Sequence, residues 1–159
     1  MEEILELKKC LLNQKYDQAL IIVEELEEMG RQDKINNLES FLVILLLHLI
    51  KIQVEKRVTR SWKNSMINSL IAIQKRNRLG KNSHYIKQQE WEQHIVECKV
   101  EALYGASKEI FEGIEYQQLE HLVDFQKLTV MCIELLQYTY KTEQEKIIEI
   151  VNHKFPIEY

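Results

Sequence analysis

The sequence predicts an all-α fold: a helical bundle of six or seven helices around a central apolar helix at residues 35–54. Three observations carry this reading. Gly occurs four times and Pro once in 159 residues, too few turn residues for a β-sandwich or barrel. Apolar residues recur at helical spacing along most of the chain. The chain is 45% apolar and 29% charged, a balance that suits globular helices with one face wet and one face dry. The length suits a single domain over residues 1–159, and no low-complexity stretch or linker divides it.

Residues 2–12 carry Ile4, Leu5, Leu7, Leu11 and Leu12, the pattern of a short amphipathic helix. After a turn at 13–15, a second helix is expected over 16–29, with Ala19, Leu20, Ile22, Val23 and Leu26 inward. Gly30 is expected to end it, because a helix stop favours a residue that tolerates positive φ. The pair resembles an αα-hairpin, and no second copy near a 34-residue period supports a repeat array. A third helix is expected over 32–56. Its middle, Phe41 to Leu47 and on to Leu49 and Ile50, is apolar on nearly all sides. That run is shorter than the roughly 18 to 20 residues of a membrane span, so it reads as a buried core helix. Thr59 or Ser61 can cap the next helix, which carries Trp62, Met66, Ile67, Leu70, Ile71 and Ile73 and stops near Gly80. Further helices are expected over 84–111, with Ser83 as cap, and over 117–140. Thr142 can cap a last one, which ends near His153 because Pro156 bars continuation.

Cys10, Cys98 and Cys132 are odd in number and widely spaced, with no CxxC. They read as reduced thiols of a cytoplasmic protein. No basic start followed by an apolar stretch marks a signal peptide.

Charge is unevenly placed. Residues 1–45 carry a net −5, residues 46–87 a net +9 and residues 88–159 a net −8. Two readings stay open. The basic segment can be neutralised across the surfaces of acidic neighbours. Alternatively Lys51, Arg57, Arg60, Lys63, Arg76 and Arg78 form an exposed patch for an anionic or acidic partner. A pI near 5.8 and a basic stretch without interleaved aromatics speak against nucleic acid.

Three strings occur in order: Glu24-Glu25-Leu26-Glu27-Glu28-Met29-Gly30 before Asp33-Lys34-Ile35, then Leu45-Leu46-Leu47-His48-Leu49-Ile50-Lys51, then Arg60-Ser61-Trp62. Together they resemble the bacterial domain-of-unknown-function family twenty-nine, abundant in cyanobacteria, over residues 1–79. The resemblance implies an all-helical fold and nothing about activity. Beyond Gly80 it fades: the Ser-Pro common there in the family is missing, and only Phe155-Pro156 matches the family's C-terminal pattern.

Among single residues, His48 stands out because an imidazole in the most apolar helix needs a partner. The Ser61 hydroxyl or a carboxylate is expected, with Lys51 one turn on. Arg60-Ser61-Trp62 reads as a cap plus an aromatic anchor. Glu90, His94, Cys98 and Glu101 share one helical stripe, but neither clustered Cys/His pairs nor Glu-x-x-His motifs accompany them, so no metal and no cofactor is expected. Arg78 and His84 are spaced as in a large helical ribonuclease superfamily, where a guanidinium and an imidazole act on phosphate. No phosphate loop, GxSxG or HExxH is present. The resulting expectation is a non-enzymatic interaction or regulatory module, with a protein partner or a homodimer. Its candidate binding residues are His48, Lys51, Arg57, Arg60, Trp62 and Arg78. An Arg/His hydrolase and the antitoxin partner of a toxin are the alternatives.

Overall fold

A computed structural model describes residues 1–157. Among them are seven α-helices: α1 (Glu2–Leu12), α2 (Tyr16–Glu55), α3 (Arg60–Arg76), α4 (Trp91–Ser107), α5 (Tyr116–Leu122), α6 (Phe125–Lys141) and α7 (Gln144–Lys154). A two-stranded hairpin, β1 (Arg78–Leu79) and β2 (Ser83–His84), follows α3. The all-α expectation holds. The chain forms two compact units, Met1–Asn36 and a second from Asn37 onward.

The first unit comprises α1 and the beginning of α2. Gln14, at φ +58, makes the turn between them. Ala19 is buried, while Leu5, Leu12, Tyr16, Leu20 and Ile21 remain exposed. Gly30 does not end a helix here. The predicted helices at 16–29 and 32–56 are one helix of 40 residues. A glycine inside a helix costs only about 1 kcal/mol, and the good helix formers on both sides of Gly30 offset that.

In the second unit, Leu38, Leu42, Leu45, Leu46, Leu49 and Ile50 of α2 are 0–3% exposed, as a core helix requires. By length and composition alone α2 could also cross a membrane, and 39% of its most apolar window is buried within the protein. Gly105 of α4 lies so near that an added Cβ would stand 2.9 Å from Leu47 Cδ1. Met66, Leu70 and Ile73 of α3, Leu128, Leu135 and Leu136 of α6, and Ile147 and Val151 of α7 complete the same core.

The caps show why the elements end where they do. Thr59, not Ser61, caps α3: its hydroxyl accepts from the Trp62 amide at 3.1 Å. Asp124 caps α6 by accepting from the Lys127 amide, and its extended neighbour Val123 ends α5. The single helix expected over 117–140 is therefore two. The helix expected from residue 84 begins only at Trp91, because residues 78–84 form the hairpin and 88–90 a 3₁₀ turn. It ends at Ser107, before a second 3₁₀ turn in which Phe111 and Glu112 take positive φ. Thr142 flanks α7, whose N-cap is Glu143.

Candidate functional site

Of the ten bases in residues 46–87, Lys51 and Lys63 are buried and eight are exposed. Lys51 is thus not part of a surface patch. Its ammonium stands over the Trp62 ring, with Nζ 4.4 Å from the centroid, and Nζ meets Glu109 Oε2 at 3.5 Å. A lysine with its stem packed and its head at one carboxylate is a packing element as much as a charge. Trp62, also buried, is approached as well by Arg57, 4.9 Å from the ring centroid. Arg57 in turn pairs with Glu55 at 3.3 Å, the one acid of the basic segment. His48 adjoins this group. Its Nδ1 is buried without a hydrogen-bond partner among the described residues, whereas Ser61, the partner expected from the sequence, is exposed. Burial, aided by nearby Lys51 and opposed by Glu109, holds His48 below the usual histidine range, so it is neutral at pH 7.

The six candidate binding residues therefore do not gather at one place. Lys51, Arg57 and Trp62 meet where α2 gives way to α3, His48 is near Lys51 on α2, and Arg60 opens α3. Arg78 lies past the far end of this 17-residue helix, about 25 Å away at 1.5 Å per residue.

Around Arg78 a second group assembles. Lys75 and Arg76 end α3, Arg78 opens the hairpin, Lys81 sits in its turn and Lys87 follows it; all five are exposed. None makes an ion pair among the described residues, and Arg76 instead stacks on Phe41, 4.8 Å from the ring centroid. We refer to this surface as the basic shoulder. Gly80, at φ +71, makes the turn that brings Arg78 opposite His84. Both line a cavity of about 560 Å³ together with Gln74, Tyr140, Lys141 and Glu143.

The hairpin is tied down from below. Buried Asn77 accepts from the Ile86 amide at 2.8 Å and donates to the Ile86 carbonyl at 2.9 Å. The Tyr140 hydroxyl donates to the same carbonyl at 2.6 Å and accepts from Trp91 Nε1 at 2.5 Å. Burial pushes the Tyr140 hydroxyl up to about 12, so it stays a donor at any physiological pH. His84 packs edge-on against its ring.

A third group lies between α2 and α4. One ligand atom each from Glu39, His94 and Glu97 falls within 4.8 Å of the others. His94 is buried, and its Nδ1 has no hydrogen-bond partner among the described residues. It faces Glu39 Oε2 at 3.7 Å, an ion-pair distance if the ring is charged but too long for a hydrogen bond. Buried Cys98 points its sulfur at the same oxygen, 3.5 Å away. Burial first, and then the Glu39 charge, push that thiol up to about 12. Of the stripe read from the sequence, His94 and Cys98 do share this face. Glu90 and Glu101 are exposed, and Glu90 serves to accept from the Lys87 amide at 2.9 Å. Glu39 could not be anticipated from a stripe on one helix. Glu97 could have been, since a His-x-x-Glu order places both on one face just as Glu-x-x-His does.

Fold and surface together define an all-α protein with a charged shoulder at one end of its core. The chain belongs to the family described as Domain of unknown function DUF29, whose profile matches residues 4–121. The match runs well past the 1–79 region of sequence resemblance, through α4 and nearly all of α5. No curated protein and no solved structure matches the chain.

Proposed function

We propose that this chain is a non-enzymatic cytoplasmic interaction module that holds an acidic segment of a protein partner on the basic shoulder. The observation that carries the reading is the shoulder's lack of ion pairs among the described residues. Lys75, Arg76, Arg78, Lys81 and Lys87 are exposed and make no ion pair among the described residues, although the chain is acidic on balance. Uncompensated like charge at a surface repels itself, and an oppositely charged partner relieves that repulsion. Arg57, by contrast, already has Glu55 and Trp62, and Lys51 has Glu109. Those residues support the fold of that end more than a contact.

The test is capture from native cytosol at low salt, read by mass spectrometry, with wild type and with Arg78→Glu, Lys81→Glu and Lys87→Glu combined. A stoichiometric acidic partner held by wild type and lost by the triple variant supports the reading. A partner held equally by both rejects it.

One observation favours a second reading, hydrolysis of a phosphodiester. Arg78 and His84 are register partners across the hairpin and line one cavity, which places a guanidinium and an imidazole side by side. RNA cleavage that disappears in His84→Ala would favour it. Equal background with both proteins would dismiss it.

A further inference from the structure

The group between α2 and α4 has features that packing alone does not explain. His94 is nine-tenths buried, yet its Nδ1 lacks a hydrogen-bond partner among the described residues. Whichever tautomer the ring adopts, the arrangement is unsatisfied. A lone pair there faces a carboxylate oxygen, and an N–H there is 3.7 Å from it, beyond bonding reach. One oxygen each of Glu39 and Glu97 lies within 4.8 Å of the other and of the His94 ring nitrogen, a spacing at which a shared cation relieves the repulsion between the two carboxylates.

We propose that Glu39, His94 and Glu97 bind one divalent first-row transition ion, with Zn²⁺ the best fit. The donor set is one imidazole nitrogen and two carboxylate oxygens, which suits Zn²⁺ and its neighbours better than Mg²⁺ or Ca²⁺, both of which prefer oxygen alone. Donors around a tetrahedral ion at about 2.1 Å stand about 3.4 Å apart. The three side chains, now within 4.8 Å of one another, close on the ion by small rotations, and exposed Glu97 supplies most of that movement and the way in. His94 and Glu39 are held in advance. The Trp91 ring stands edge-on to His94 with centroids 6.1 Å apart. The Cys98 thiol, within reach of Glu39 Oε2, orients the carboxylate as outer-shell donors do. Three protein ligands leave a coordination position for water. The ion joins a core helix to α4 and satisfies the orphaned Nδ1.

The test uses the full chain, stripped with chelator and titrated calorimetrically with zinc chloride. One ion per chain is expected, with affinity at least tenfold weaker in Glu39→Gln and in Glu97→Gln. Zinc should also raise the thermal midpoint of wild type and leave that of His94→Gln unchanged. Glu97 is exposed, so its substitution leaves folding intact and keeps the test decisive even if His94→Gln folds poorly. No zinc uptake by folded wild type, or uptake undiminished in Glu97→Gln, overturns the proposal.

Discussion

Replacing Asn77 with Ala removes the group that holds the hairpin to the core. Asn77 gives the Ile86 amide its acceptor at 2.8 Å, and both residues are essentially inaccessible to water. The carbonyl of Ile86 keeps its bond from Tyr140, so the main loss is an orphaned buried N–H. Such a group costs about 1–3 kcal/mol, and losing the second bond adds about 1 kcal/mol. The expected destabilisation is roughly 2–4 kcal/mol, or about 5–15 °C in melting temperature for a chain of this size. Tyr140→Phe removes the acceptor for Trp91 Nε1 and should cost about 1–3 kcal/mol by the same argument. Because the two side chains share the Ile86 carbonyl, the double variant should depart from additivity. Urea unfolding followed by circular dichroism measures all three proteins. If Asn77→Ala loses less than about 0.5 kcal/mol, the usual range of an inconsequential surface change, the reasoning about the clamp is refuted.

Other consequences can be checked in the same preparations. His48 is held neutral by burial, so the unfolded state binds a proton more readily than the folded one. Stability is then fully present above the ordinary value of 6.5 and falls as pH drops below it, by at most about 1.4 kcal/mol per pH unit. His48→Gln should flatten that part of the stability profile, and an unchanged slope would contradict the assignment. Lys51 is buried against a half-exposed carboxylate. Replacing it with Met, which keeps an unbranched apolar chain but removes the charge over Trp62, should change stability by less than about 1.5 kcal/mol, and a larger loss in denaturant titration would mean that the charge itself is needed. The Cys98 thiol, pushed up to about 12, and buried Cys132 should resist a thiol-specific alkylating reagent at pH 8, while partly exposed Cys10 reacts. Peptide mapping that finds Cys98 modified first would count against its burial beside Glu39.

The helical class and the central helix were legible in the sequence because they depend on periodicity and on the scarcity of Gly and Pro, both local properties. The boundaries were legible only where a local signal met no competitor. Gly30 reads as a stop, yet nothing lies within 4 Å of where its side chain would be, and the flanking helix formers carry α2 through it. Asp124 is a cap signal inside an otherwise continuous apolar pattern, and its bond to Lys127 splits that pattern into α5 and α6. The hairpin at 78–84 depends on Asn77 reaching Ile86 and on Tyr140, more than fifty residues further on. The same limit applies to the candidate sites. Arg78 and the shoulder follow from a charge count, whereas the grouping of Glu39 with His94 requires two helices to be packed first. Of the two readings of the basic segment, the exposed patch puts Lys51 on the surface because a charge count carries no information on direction, whereas its Nζ lies over the buried Trp62 ring.

A partner surface at the shoulder requires that Arg78, Lys81 and Lys87 neutralise no acid inside the fold. Thermal unfolding of the combined Arg78→Glu, Lys81→Glu and Lys87→Glu variant at low salt tests this most directly. Uncommitted surface groups change stability by about 0.5 kcal/mol each at most, so the midpoint should move by less than roughly 5 °C. A fall of roughly 10 °C or more would show that these bases neutralise acids within the protein, and would contradict their role as a surface for a partner.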